Sequence, residues 1–172
     1  MHLYIGNGKG KTTAATGLAV RALGHGFSVL FAQFLKNTQT GEKKILEGFG
    51  EKLLFFRPAQ RYSAFLWDMN DEQLVRTKED IQLGWEKLNQ KIQTGLWDLV
   101  VLDEILDCIQ FGLLGEEDVL KAIAKRPGKT EIVLTGRNAS QAFCDLADYI
   151  SVIEAVKHPY VKGIPARRGI EF

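Results

Sequence analysis

Residues 4–15 read YIGNGKGKTTAA. Three glycines and two lysines fall within the six residues Gly6 to Lys11, followed by Thr12 and Thr13. A short apolar run, His2 to Ile5, precedes them, and a helix-like stretch follows. Glycine lets backbone N–H groups turn inward with no Cβ in the way. The start of the following helix aims unsatisfied N–H groups and a positive dipole end at the same point. Lysine adds a point charge, and a threonine hydroxyl is an oxygen ligand for Mg²⁺. This is the chemistry of a phosphate-binding loop of the form G-x-x-x-x-G-K-[ST]. The second half, Gly10-Lys11-Thr12, is intact, whereas Ile5 stands where the first glycine of the general pattern belongs. A flexible surface turn is the competing reading. The strand–loop–helix context argues against it.

Working outward, the chain alternates strand-like and helix-like segments. Thr12 to Leu23 reads as a helix closed by GHG at 24–26, with His25 as a turn residue. SVLFAQFL (28–35), KLLFF (52–56), LVVLDE (99–104), EIVLTGR (131–137) and YISVIEAV (149–156) read as strands. Most are continuously apolar, as in strands buried on both faces of a parallel sheet. Residues 36–44 and 57–70 read as loops. Asp71 to Thr94 carries Leu74, Ile81, Trp85, Leu88 and Ile92 at helical spacing, so Trp85 is expected in the core. Residues 115–128 and 140–147 read as short helices. The order predicts an α/β fold of the P-loop NTPase-like kind: an open, mostly parallel sheet with helices on both faces. Its 172 residues fit a single domain.

Such sheets bind ligands beyond the carboxyl ends of their strands. The candidate residues are therefore Asn7 to Thr13, Lys36, Asp103, Glu104, Gly136 and Arg137. LVVLDE presents an acid where P-loop proteins hold Mg²⁺, and together the two motifs imply binding of a nucleoside triphosphate. For Lys36 and Arg137, a solvated lysine and an ordinary helix-start arginine are equally open. Tyr62, Phe65 and Trp67 lie in an irregular stretch, as a binding platform or as a satellite apolar cluster.

The net charge of +1 gives no bulk attraction to nucleic acid or membrane surfaces. There is no apolar run of membrane-spanning length, and the first residues do not read as a signal peptide. Cys108 and Cys144 form no paired motif and read as reduced thiols, which predicts a cytoplasmic protein. His2, His25 and His158 show no metal-ligand spacing.

GNGKGKTTAA (6–15), GHG (24–26), QFLK (33–36) with GE at 41–42, VVLDE (100–104), RPG (126–128), TGR (135–137), DLAD (145–148) and the tail VKHPYVKGIPARRGIEF (156–172) resemble the ATP:corrinoid adenosyltransferases, in order and over nearly the whole chain. The shortened glycine loop is that family's own form. The resemblance implies an unusual use of the loop. ATP lies reversed relative to common P-loop enzymes, and a Co(I) corrinoid attacks the ribose C5′ so that triphosphate leaves whole. It implies ATP binding by Asn7, Gly8, Lys9, Gly10, Lys11, Thr12 and Thr13. Lys11, Thr12 and Glu104 are then the catalytic residues. Mg²⁺ is held by Thr12 and Glu104, with Asp103 behind them.

Phe65 and Trp67 match the family's phenylalanine-x-tryptophan pair, which packs under the corrin and removes its lower axial ligand. Here AFLWD stands for the expected GFTWE, and FLKN for FIKG. The sequence starts at the first strand, without the N-terminal helical arm of some members, so closure over the corrinoid is expected to be weaker or to come from a dimer partner. A homodimer and an electron donor such as a reduced flavin or flavoprotein are further expectations. Two rivals share the nucleotide motifs: a kinase or ATPase acting at the γ-phosphate, and a non-catalytic nucleotide switch.

Overall fold

The computed structural model describes residues 1–36, 39–59 and 68–171. Six strands form one all-parallel sheet: β1 (His2–Ile5), β2 (Val29–Gln33), β3 (Leu53–Phe56), β4 (Leu99–Asp103), β5 (Glu131–Thr135) and β6 (Tyr149–Val152). Their spatial order is β3-β2-β4-β5-β1-β6. The glycine-loop strand β1 and the acid-bearing strand β4 are therefore separated by β5. The register pairs Gln33 with Asp103 and Tyr4 with Thr135, which lines up the carboxyl ends of β2, β4, β5 and β1.

Among the described residues, six α-helices connect the strands: α1 (Lys11–Gly24), α2 (Gly41–Leu46), α3 (Asp71–Gln93), α4 (Ile105–Gln110), α5 (Glu116–Ala124) and α6 (Gln141–Leu146). They cover both faces. On one face, Ala15, Ala19, Ala22 and Leu23 of α1 pack on Val29, Phe31, Leu99, Val101 and Val133. On the other, Ile81, Trp85, Leu88 and Ile92 of α3 share a core with Leu30, Ala32, Val100, Leu102, Ile132 and Leu134, together with residues of α4, α5 and α6. Alternate residues of β2, β4 and β5 thus feed opposite cores, and this is why these strands read as unbroken apolar runs. The small side chains along α1 let the helix behind the glycine loop lie close to the sheet. α3 starts at a capping box, in which Asn70 accepts from the Gln73 N–H and the Gln73 side chain accepts from the Asn70 N–H.

Two local expectations are corrected, and one helix is added. Residues 41–46 form the short helix α2, followed by a 3₁₀ turn over Glu47–Lys52, not a loop throughout. Its sequence GEKKIL carries one buried residue, Leu46, too few to register as a period. Helix α4, directly after the acidic strand end, went unread because ILDCIQ is a six-residue continuation of an apolar run. Strand β6 is the sheet edge and is exposed along its length. The apolar character of YISVIEAV therefore does not mean burial. Trp85 is in the core, as expected.

Candidate functional site

The glycine loop lies between β1 and α1, against the chain just beyond β6. Gly6 has φ +112° and Gly10 φ +127°, conformations that side chains rarely adopt. A Cβ on Gly6 would stand 2.3 Å from the Ile153 carbonyl oxygen. Gly8, without a positive φ, is equally tight: its Cβ would meet the Glu154 and Ile153 backbones at 2.7 Å. The loop is tied down by the Gly6 N–H to the Arg137 carbonyl at 2.9 Å and the Gly8 N–H to the Ile153 carbonyl at 2.8 Å. The Asn7 side chain accepts from the Ala155 N–H at 3.2 Å. Lys11, the first residue of α1, folds its ammonium back over the loop and donates to the carbonyls of Gly6 at 2.6 Å and Gly8 at 2.9 Å. Burial holds its pKa below the ordinary lysine value, against the opposing pull of Asp107 and Glu104. Lys9 is exposed.

The second half of the site is built on the end of β4. Asp103 is fully buried, and donors surround its carboxylate. The Thr12 hydroxyl approaches both oxygens at 3.0 and 3.1 Å, the Thr135 hydroxyl donates at 2.8 Å, the Gln33 amide at 3.2 Å and the Lys36 ammonium at 3.3 Å. Thr135 also accepts the Glu104 N–H at 2.8 Å, so one hydroxyl clamps the Asp103-Glu104 pair. Glu104 sits in the left-handed region, φ 64°. Lys36 bridges the two motifs, with its ammonium 2.8 Å from the Thr12 hydroxyl oxygen and 3.4 Å from a Glu104 carboxylate oxygen. Gln33 in turn donates to Glu42 at 2.9 Å and accepts from Arg57, which also reaches Thr40.

Burial pushes the Glu104 carboxyl up to about 7, with Lys36 opposing and Asp103 and Asp107 adding to the rise. Between the ordinary carboxyl range and about 7, the folded protein keeps a proton that the unfolded chain has lost. Glu104 therefore stabilises the nucleotide-free fold at low pH, and this share disappears as pH rises through that window. Thermal melts of nucleotide-free protein should show wild type losing Tm relative to Glu104→Gln between about pH 5 and about pH 7.5. Parallel curves would refute the raised pKa.

The structure brings together the loop residues Asn7 to Thr13, Lys36, Asp103 and Glu104, all expected from the sequence. Arg137 joins through its backbone: its N–H donates to Asp107 at 3.1 Å, and its carbonyl accepts from Gly6. Gly136 allows this close approach, since a Cβ there would lie 2.5 Å from the Leu106 Cβ. Gln33, Thr135 and Asp107 were missed. Gln33 and Thr135 did carry a signal, a polar residue closing an otherwise apolar buried strand. Phe65 and Trp67 lie outside the described residues.

A family model for ATP:corrinoid adenosyltransferases of the BtuR/CobO/CobP type matches residues 1–172. The chain belongs to this family. Among similar relatives, the corrinoid adenosyltransferase CobA of Salmonella typhimurium is 34% identical over 171 residues, covering 99% of this chain and 84% of its own. The corrinoid adenosyltransferase of Escherichia coli K12 is 34% identical over 172 residues, with the same two coverages. That of Pseudomonas aeruginosa is 34% identical over 171 residues, covering 99% of this chain and 82% of its own. As an ATP:corrinoid adenosyltransferase, the enzyme takes ATP and a corrinoid as substrates. No helix among the described residues is long and apolar enough to cross a membrane.

The donor set beside the adenosyltransferase's loop is all oxygen: the Thr12 hydroxyl and the carboxylates of Asp103 and Glu104. That chemistry fits Mg²⁺, which takes oxygen ligands, keeps several waters and shares the phosphates of its nucleotide. The Lys36 ammonium, seated among these same three groups, shows that the pocket accommodates a cation. Among the described residues, no group of three or more His, Cys, Asp or Glu side chains could hold a metal ion alone.

Proposed function

We propose that residues 1–172 act as one adenosyltransferase domain in which the glycine loop grips the triphosphate of ATP as a leaving group. The supporting observation is convergence. Lys11 folds over the loop onto the Gly6 and Gly8 carbonyls, while Thr12, the next residue, reaches Asp103, the neighbour of Glu104. The cobalt of a Co(I) corrinoid attacks C5′ of ATP. A Co–C bond forms, the C5′–O bond breaks, and its electron pair leaves on the triphosphate oxygen. Co(I) brings no proton, so no general base is required. The protein's tasks are alignment and stabilisation of the departing charge. Lys11 supplies positive charge to the triphosphate, and Asn7, Gly8, Lys9, Gly10, Thr12 and Thr13 complete the cradle.

Thr12 and Glu104 would hold Mg²⁺. Asp103, whose oxygens already accept from Thr12, Thr135, Gln33 and Lys36, orients Thr12 rather than binding the ion itself. Bound there, Mg²⁺ would neutralise part of the leaving group's charge. Phe65 and Trp67 form the platform under the corrin; the family's aromatic pair supports this role. Cobalt must be reduced before it attacks, and a reduced flavin or flavoprotein fits as donor. The open edge of β6, with Tyr149, Ile150 and Val152 exposed, supports a homodimer. Two free cysteines support a reducing, cytoplasmic setting.

The reaction is tested by its products. Anaerobic incubation with Mg·ATP and a chemically reduced corrinoid should yield inorganic triphosphate and a light-sensitive adenosyl–cobalt product in equal amounts, and nothing when cobalt is left as Co(III). ADP as the main product, formed without corrinoid, would overturn the leaving-group assignment.

A further inference from the structure

Lys36 is placed in the site by strain. Two non-glycine residues among those described have positive φ, Leu35 at 51° and Glu104 at 64°. A bulky residue such as leucine in that region is an outlier and persists only where its surroundings enforce it. Leu35 directly precedes Lys36, and Glu104 is its ion-pair partner. Both unfavourable turns thus serve one contact: they bring an ammonium and a carboxylate to face each other over Thr12. The rest of β2's end is fixed as well, through the Phe34 N–H to the Asp103 carbonyl at 2.9 Å and Gln33 to Asp103.

Charge explains what is gained. Asp103 has no exposed surface, and Glu104 keeps only 26% of its side chain accessible. Two carboxylates this close and this dry need a counter-charge. Among the described side chains, Lys36 is the cation whose ammonium lies within 4 Å of both. It also donates to the Thr12 hydroxyl, so its contacts include both groups proposed to hold Mg²⁺, Thr12 and Glu104, and the Asp103 carboxylate behind them.

We propose that Lys36 is the resident cation of the metal pocket, excluding divalent metal from the nucleotide-free enzyme and yielding its place when metal and triphosphate arrive together. The inference rests on the reading of Thr12 and Glu104 as the metal site. Metal alone must displace an ammonium from its contacts with two carboxylates. Metal with ATP brings a polyanion over the same threonine, a new partner for the displaced ammonium. Binding is thereby ordered, and the acids do not gather metal without the nucleotide.

Mn²⁺ alone is the probe, with free ion counted by EPR. Nucleotide-free Lys36→Met should bind one Mn²⁺ about tenfold or more tightly than nucleotide-free wild type, the scale of removing a unit charge beside a dication. Lys36→Arg, which keeps the charge, should behave as wild type. Lys36→Met should also melt lower than wild type and recover on adding Mn²⁺, a readout independent of turnover. Equal Mn²⁺ affinity in nucleotide-free wild type and Lys36→Met overturns the proposal. The metal site is judged separately, by whether Glu104→Gln weakens Mn²⁺ binding to wild type in the presence of ATP. If it does, that reading stands whatever Lys36 does; if it does not, the metal site itself is misassigned.

Discussion

Replacing Lys11 with alanine should lower turnover on the order of 10³-fold, the upper end for removing one electrostatic contact to a developing charge. Two losses combine. The ammonium holds the loop in shape through the carbonyls of Gly6 and Gly8, at 2.6 and 2.9 Å. It is also a half-buried cation over the glycine loop, in surroundings dry enough to pull its pKa below the ordinary value. A charge in such a place is worth more than one in water. Lys9 provides the contrast. It is exposed, so Lys9→Ala should cost only a few-fold, about the worth of a screened surface charge. Triphosphate release measured against corrinoid consumption reads both variants. Lys11→Ala retaining more than about a tenth of wild-type turnover would be incompatible with its role at the leaving group.

The difference between the two lysines shows what the sequence could carry. GNGKGKT reads as a phosphate site, because glycines, lysines and threonine at that spacing between a strand and a helix suit a polyanion. The strand order was not legible, since pairing of β1 with both β5 and β6 depends on contacts more than 120 residues apart. Asp103 and Glu104 stood out as acids ending an apolar strand. Their surroundings tell them apart: one carboxylate is saturated by donors, whereas the other has Lys36 as its salt-bridge partner among the described residues. Lys36 itself was undecided as a sequence feature. A lysine after a strand is ordinary until the backbone at Leu35 turns it inward. Asp107 gave no sign, because its function is to accept an N–H from a residue 30 positions away. Local chemistry was readable from the sequence; the partners brought together by the parallel topology were not.

The glycines separate these two kinds of information most sharply, and they make the last prediction. Gly6→Ala and Gly17→Ala are the same chemical change with opposite expected signs. At Gly6 the backbone has φ +112°, and the new methyl would stand 2.3 Å from the Ile153 carbonyl oxygen. That oxygen is already committed, accepting the Gly8 N–H at 2.8 Å, so it cannot retreat without loosening the loop. Strain of about 1–3 kcal/mol and overpacking of similar size should lower Tm by roughly 10 °C for a chain of this length. The fold should survive, because β6 is an edge strand. ATP affinity should fall about 10²-fold, since the loop cannot present its N–H groups once it shifts from Ile153. At Gly17, inside α1, nothing lies within 4 Å of the added methyl, and φ is not positive. Alanine there gains about 1 kcal/mol of helix propensity, worth about 2–4 °C in Tm. Differential scanning calorimetry with and without Mg·ATP measures both. Gly6→Ala with wild-type Tm and wild-type nucleotide affinity would mean that the loop does not need its close packing against Ile153, and the cradle built on it would have to be redrawn.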